Sequence, residues 1–494
     1  MKHEKFRFKA GEEMKAKALE LGVELPWSDS IDVLLQPVEI AGIKVPNGLA
    51  VQPMEGFDAD ENGTPGELAF RRYNRYAAGG NGMIWFEACS LVPDGRSNPH
   101  QFMLTGDNVH VYRKLTDQIR ATAEEHYGKD HRPFLVLQFT HSGRYSKPAE
   151  GFKPKIFSNN AVLNSPHPLT LPTSRDRLSP ALPTVAGEGE PSTRNSERSG
   201  DPDLSGLQPA TRSEAEIPIY RDRNPQLYFT DTEIDAIKSA YIGAFTLAEQ
   251  AGFDAVDVKA CHGYLLHELL YAYDRTDSKY GGSFENRTRF VREVFSTPTR
   301  LVKSMRLNAF DLVPYGFGMK RDGSMEIDLT ETKKLISQLS DSVPLWNITA
   351  GIPRHAAHVG RPFDRGVFNA PVPEEHPLEG IARLIGATGE LQQTFPGLQF
   401  VGTAYSWLRQ YFPNVGAGVV NQKKVSFIGL GRSSFAYPDA PKDLMDKGML
   451  DPKKVCVSCS KCTELMRKGG PTGCAVRDEQ YKGTRHKAQG SRKE

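Results

Sequence analysis

A barrel of eight parallel β-strands with its helices packed outside is the fold class predicted by this sequence, from three observations. Eight short apolar runs recur along the chain: GLAVQP (48–53), GMIWFE (82–87), FLVLQF (134–139), DAVDVK (254–259), VKSMRL (302–307), VPLWNI (343–348), LQFVGT (398–403) and VSFIGL (425–430). Each is nearly continuous in apolar residues rather than alternating, which suits parallel strands buried on both faces. Helical patterns lie between several of them, and the runs end near polar or glycine-containing loops. Eight strand–helix units read as a (β/α)8 TIM barrel.

Composition narrows the class. The chain has 494 residues and a formal net charge of +2, enough length for one elaborated barrel and no global field to draw in nucleic acid or an anionic membrane. No apolar run reaches the roughly 18 residues of a membrane span. The start, MKHEKFRFKAGEEMKAKALELG, is charged throughout and lacks the apolar core of a secretory signal. A cytoplasmic protein is the expectation. Of six cysteines, four crowd between Cys456 and Cys474, a clustering that favours a metal site over disulfides in such a chain. Cys89 and Cys261 stand alone and read as buried thiols.

The expected organisation is a helical extension over 1–34, a barrel over 35–450, a cysteine-rich segment over 451–478 and a disordered tail over 479–494. Residues 172–215, rich in Pro, Ser, Gly and charge, have little to bury and read as a flexible insertion rather than a lid. The clearest helix is TDTEIDAIKSAYIGAFTLAEQAG. Thr230 and Glu233 make a capping box, apolar residues recur at Ile234, Ile237, Tyr241, Phe245 and Ala248, and Gly252 stops it.

Chemistry-bearing residues fall at strand ends. The run DAVDVK places Lys259, His262 and Tyr264 at and just past the end of its strand, where parallel barrels build their sites. Phosphate binding is expected late in the barrel. There FVGTAYS supplies Gly402 and Thr403, and FIGLGRSSFAYPD supplies Gly429, Gly431 and Arg432. Glycines admit backbone N–H groups to a phosphate and Arg432 adds a charged fork. Cys456, Cys459, Cys462 and Cys474 form C-x2-C-x2-C-x11-C. Four thiolates suit a [4Fe–4S] cluster, with a structural zinc ion as the rival. The spacing lacks the two separated C-x2-C pairs of a zinc ribbon, which favours iron–sulfur.

The segment HGYLLHELL…RTDSKYGGSFENRTRF (262–290) closely resembles the signature of the Old Yellow Enzyme family of FMN-dependent oxidoreductases. QFTHSGRYSKP resembles that family's Gln-x-x-His-x-Gly-Arg element, and GLGR its Gly-x-Gly-Arg element. The cysteine pattern, with GGP before Cys474, resembles the cluster motif of the trimethylamine dehydrogenase and 2,4-dienoyl-CoA reductase branch. The resemblance covers about residues 35 to 478 apart from the insertion. It implies FMN held along Pro53, Met54 and Glu55, beside Ala88, with Gln138 at the pyrimidine edge and Arg306 near N1 and O2; Lys303 and Lys320 compete with Arg306 for that role. Glu55 stands where the covalently flavinylated relative has cysteine, which implies non-covalent FMN. His141 and Arg144 either shape the flavin face or brace their loop. Arg275, Asp277, Tyr280 and Glu285 read as a network fixing the signature loop. His262 and Tyr264 match the family's substrate-orienting and proton-donating positions. Lys259 departs from the first of the two usual imidazole positions, which makes oxidation of an amine as credible as reduction of an enone.

The expectation is an FMN- and [4Fe–4S]-dependent oxidoreductase. It moves a hydride equivalent between flavin and a small organic substrate, of amine or unsaturated carbonyl type. Larger relatives continue into a nucleotide-binding domain that this sequence lacks, so an external electron-transfer protein is expected to exchange electrons through the cluster. A homo-oligomer is expected from the family. The rivals are an NAD(P)H-dependent ene-reductase with a structural cluster, and an inactive barrel scaffold whose four clustered cysteines hold zinc.

Overall fold

A computed structural model describes residues 3–158 and 225–482; the 172–215 insertion lies outside them. Eight parallel strands close on themselves: β1 (Leu49–Val51), β2 (Met83–Trp85), β3 (Phe134–Thr140), β4 (Ala255–Ala260), β5 (Val302–Asn308), β6 (Leu345–Thr349), β7 (Gln399–Gly402) and β8 (Phe427–Leu430). Neighbours pair in chain order, and β8 returns to β1 with Leu430 opposite Val51. Each strand coincides with one of the eight apolar runs. Every residue of β3, β4 and β6 is buried, because the barrel interior covers one face and helices cover the other.

The helix Asp231–Gln250 shows how local sequence sets an element. The Thr230 side chain accepts from the Glu233 N–H at 3.2 Å, and the Glu233 carboxylate accepts from the Thr230 N–H at 2.8 Å. Ile234, Ile237, Tyr241, Phe245 and Ala248 are all buried against the barrel. Gly252 follows with φ +79°, a conformation that costs glycine little.

Two features lie beyond the sequence reading. A hairpin, Val38–Ile40 with Ile43–Val45, buries Ile40 and Val45 among Met83, Trp85, Phe134 and Val401, closing the amino-terminal mouth of the barrel. Its two-residue turn has positive φ at both Ala41 and Gly42, the backbone twist that two-residue hairpins need. At the other end, Glu479–Lys482, the first four residues of the stretch expected to be disordered, forms a helical turn with Tyr481 buried. Among the described residues no helix is long and apolar enough to cross a membrane.

The segment 451–482 lies across the carboxyl-terminal face of the barrel. The Thr472 N–H donates to the Gly56 carbonyl at 2.7 Å. Asp478 receives Arg71 and Arg75 from the helix Glu67–Ala78, and Cys462 and Cys474 pack on the main apolar core. Cys89 and Cys261 are buried free thiols, as their isolation in the sequence suggests.

Candidate functional site

All eight strands aim their carboxyl ends at one cavity of about 600 Å³. Pro53, Met54 and Glu55 reach it from the end of β1, Ala88 from β2, Gln138 from β3, Lys259, His262 and Tyr264 from β4, and Arg306 from β5. Thr403 follows β7, and Gly431 with Arg432 follows β8. Gly402 does not reach the wall: a Cβ there would lie 2.7 Å from the Tyr405 hydroxyl, so this glycine serves packing beneath the site. Of the four clustered cysteines only Cys462 lines the cavity.

The register of the sheet accounts for several contacts. Gln138 sits opposite Asp257 in β4 and donates to its Oδ2 at 2.7 Å. That bond occupies the amide nitrogen and fixes which end of Gln138 is the acceptor. Burial pushes the Asp257 carboxyl up to about 6, against the pull of Gln138 and Arg306. Lys259 sits opposite Arg306 in β5. Arg306 gives one bond to the Pro53 carbonyl at 3.4 Å. Its two competitors are engaged elsewhere: Lys303 donates to the Phe295 carbonyl at 2.6 Å, and Lys320 pairs with Glu326.

Past β4 the backbone turns through His262 (φ +63°) and Gly263 (φ +81°). A left-handed histidine is costly and persists where the surroundings hold it. Here the ring nitrogen Nε2 lies 3.1 Å from Thr349 Oγ1 at the end of β6. Burial, then the charges of Arg306 and Lys259, hold the imidazole well below its ordinary pKa, so it is neutral near pH 7. The Tyr264 hydroxyl donates to Glu55 Oε1 at 3.0 Å. Lys259 Nζ stands 3.5 Å from the same oxygen and 3.4 Å above the Tyr264 ring. Burial and Glu55 raise the Tyr264 pKa far above its usual range, while burial lowers that of Lys259.

Three buried polar atoms on lining residues have no hydrogen-bond partner among the described residues: Arg306 Nε, Thr403 Oγ1 and Arg432 Nη1. Buried donors are ordinarily satisfied, so these atoms fit a polar ligand. Two of them, with Gly431, mark the late-barrel end, where a phosphate would sit; the third lies near Pro53 and Gln138. This donor set and volume fit FMN.

The signature loop and the Gln-x-x-His-x-Gly-Arg element behave differently. Arg144 pairs with the fully buried Glu268, which also accepts the Phe157 and Ser158 N–H groups. His141 Nδ1 accepts the Gly143 N–H. Both brace the loop outside the cavity wall. Arg275 donates to the Phe157 carbonyl at 2.8 Å, and Tyr280 donates to Asp235.

Lining residues that sequence reasoning missed include Gln52, Tyr145, Thr349, Arg354 and Arg361. Gln52 exchanges two amide hydrogen bonds with Asn347 of β6. Tyr145 meets Tyr264 edge-on at 5.4 Å. Thr349 had a signal, as the residue directly after a predicted strand. Arg361 lies beyond a helix and had none.

The cysteine segment carries mixed signs. No disulfide joins any of the four thiols. Burial raises the pKa of Cys456, Cys462 and Cys474, and Arg432 pulls the first two back. Backbone N–H groups of Ser458 and Arg477 point at the Cys456 and Cys474 sulfurs at 3.4 Å each, an arrangement that suits thiolate ligands. Yet among the described residues no group of three or more His, Cys, Asp or Glu side chains is gathered as a metal ion would require. The donor chemistry fits a metal group; the gathering of the sulfurs does not display one.

Comparison with known proteins adds a lineage. Residues 190–369 match the NADH:flavin oxidoreductase / NADH oxidase family. Dimethylamine dehydrogenase of Hyphomicrobium sp. (strain x) is 28% identical over 256 residues, covering 51% of this chain and 32% of that protein. NADPH dehydrogenase of Geobacillus thermodenitrificans is 24% identical over 315 residues, covering 60% of this chain and 72% of the other. Among solved structures, a 2-naphthoyl-CoA reductase complex superposes with a TM-score of 0.61 at 19% identity, covering 91% of this chain and 57% of that one. The match therefore spans about a third of the length of the first of these relatives.

Proposed function

We propose that this chain, which belongs to the NADH:flavin oxidoreductase / NADH oxidase family of flavin-dependent oxidoreductases, binds FMN in the strand-end cavity and oxidises or reduces a small organic substrate there. Bound FMN would supply hydride and single-electron chemistry. Thr403, Gly431 and Arg432 would hold its phosphate, with Pro53, Met54 and Ala88 along the ring system. Gln138, its amide fixed by Asp257, would present an acceptor to the pyrimidine edge, and Arg306 a charge beside it.

The substrate side is the wall of His262, Tyr264 and Tyr145. Neutral His262, steadied by Thr349, orients a polar group of the substrate. Tyr264 keeps its proton at neutral pH, and its hydrogen bond to Glu55 gives that proton a defined route to and from the carboxylate. Lys259 holds Glu55 and the tyrosine ring in place. The observation that carries this reading is the convergence of three unpartnered buried donors on the same cavity as the His262 and Tyr264 side chains.

Cys456, Cys459, Cys462 and Cys474 would hold a [4Fe–4S] cluster beside the cavity and exchange electrons with an external carrier protein. Support comes from the four-thiol spacing, the N–H groups directed at two sulfurs, and the position of Cys462 on the cavity wall. The substrate class on this reading is an amine or an unsaturated carbonyl compound. A second reading, an NAD(P)H-dependent ene-reductase whose cluster is structural, is favoured by the similarity to the Geobacillus NADPH dehydrogenase.

A visible spectrum of protein purified without oxygen, with iron and sulfide assays, tests the proposal. Flavin bands over a broad brown absorbance are expected, bleaching together when an electron donor, either an oxidisable substrate or the reduced carrier, is supplied without an acceptor. Flavin bands bleached by NADPH alone while the brown absorbance persists would favour the second reading. Colourless protein that takes up neither group would refute both.

A further inference from the structure

The charge on the cavity wall is lopsided. Among the described residues it is lined by Lys259, Arg306, Arg354, Arg361, Arg432 and Arg467, and by a single carboxylate, Glu55. That carboxylate is already engaged, accepting from Tyr264 at 3.0 Å and facing Lys259 at 3.5 Å. Four of the six cations have evident work, and Arg354 and Arg467 make no hydrogen bond or ion pair with any described residue. Lys259 is held by Glu55, and Arg306 and Arg432 carry the unpartnered donors at the flavin end. Arg361 is tied to Thr463 of the cysteine segment. Arg467 belongs to the helix Lys461–Arg467 of that same segment.

Arg354 is different. It follows β6 beyond Thr349, the residue that holds His262, and its charge acts on the Tyr145 hydroxyl, so it stands on the substrate wall. It is exposed at the cavity edge and makes no hydrogen bond or ion pair with any described residue. An alkylammonium entering here would meet uncompensated positive charge and find the one carboxylate occupied. An anion would find an arginine with its whole fork available.

We propose that the molecule bound over His262 and Tyr264 is an organic oxyanion, bearing a carboxylate or a phosphate that Arg354 receives at the cavity mouth. This rests on the assignment of the cavity as a flavin and substrate site, and it selects the unsaturated carbonyl side of that assignment over the amine side.

The test is calorimetric titration of the FMN-loaded protein with four probes of one shape: trans-cinnamate, cinnamyl phosphate, cinnamyl alcohol and cinnamyltrimethylammonium. One or both anions should bind at least about tenfold tighter than the alcohol, as expected for a charge-assisted contact, and the ammonium should bind weakest. Whichever anion binds tighter names the group. Arg354→Gln should weaken the anion by about tenfold with flavin content unchanged, and Arg354→Lys should recover part of the loss. Equal or tighter binding of the alcohol or the ammonium would overturn the proposal, as would Arg354→Gln with unchanged anion affinity. Protein that takes up no FMN would instead sink the underlying assignment, so the two failures are separable.

Discussion

Two clusters of buried charge grow from the same loop after β1, and only one of them belongs to the site. Asp58 and Glu87 close around Arg72 of the helix Glu67–Ala78; Arg72 also donates to Asp58 Oδ1 at 3.1 Å, and Glu87 takes the Gly56 N–H at 2.6 Å. Three residues before Asp58, Glu55 meets Lys259 and Tyr264 on the cavity wall. In the first cluster both carboxylates hold one guanidinium and the group faces no large cavity. In the second, one carboxylate oxygen is shared between a hydroxyl and an ammonium, and all three residues border open volume. Burial of charge therefore does not mark the site. Charge left incompletely satisfied beside a cavity does.

The largest effect that would test this contrast is on the closed cluster. Arg72→Met should strand two buried carboxylates and destabilise the chain by about 3–5 kcal/mol, read as a lowered denaturation midpoint. A well-folded Arg72→Met protein would show that the cluster is not structural. Tyr264→Phe should do the opposite: turnover drops by about a hundredfold while bound flavin and melting temperature stay near those of the parent. If flavin is lost instead, Tyr264 has been given the wrong role.

Asp257 lies between the two extremes, fully buried yet bonded to a cavity residue. Its folded pKa of about 6 lies above the roughly 3.9 of an unfolded aspartate, so the folded chain binds the extra proton. Stability from this group is therefore present below about pH 4 and is lost as pH rises through 6. Asp257→Asn removes that slope. Relative to the parent, the variant should gain about 2 kcal/mol between roughly pH 4.5 and pH 7.5, measured as the difference between denaturation midpoints; a parallel pH dependence would place the Asp257 pKa elsewhere. The smallest effect is expected at Lys259. Lys259→Met discards a desolvated charge and leaves Glu55 bonded to Tyr264, so stability should change by less than about 1 kcal/mol. A loss as large as that of Arg72→Met would erase the distinction between the clusters.

The strand-borne half of the site was legible because parallel strands convert position in the chain into position in space. Once the eight apolar runs are recognised, residues at their carboxyl ends must converge, and Pro53, Ala88, Gln138, Lys259, Arg306 and Thr403 all line the cavity. Gly402 marks the limit of that logic: one residue earlier on β7, it faces Tyr405 rather than the cavity. His141 and Arg144 mark another, since motif residues beside a site can serve its loop instead.

What the sequence by itself determined is the barrel, its strand ends and the capped helix Asp231–Gln250, all set by short-range patterns of apolar residues, caps and glycines that act within a few residues of one another. The tertiary structure alone decided the partners. Glu55 reaches Tyr264 across 209 positions of chain, and Asp478 finds Arg71 across 407 and Arg75 across 403. Arg354 is left on the substrate wall with no partner among the described residues. Side-chain pairing over such separations depends on how the closed barrel brings loops together, and no local pattern carries that information.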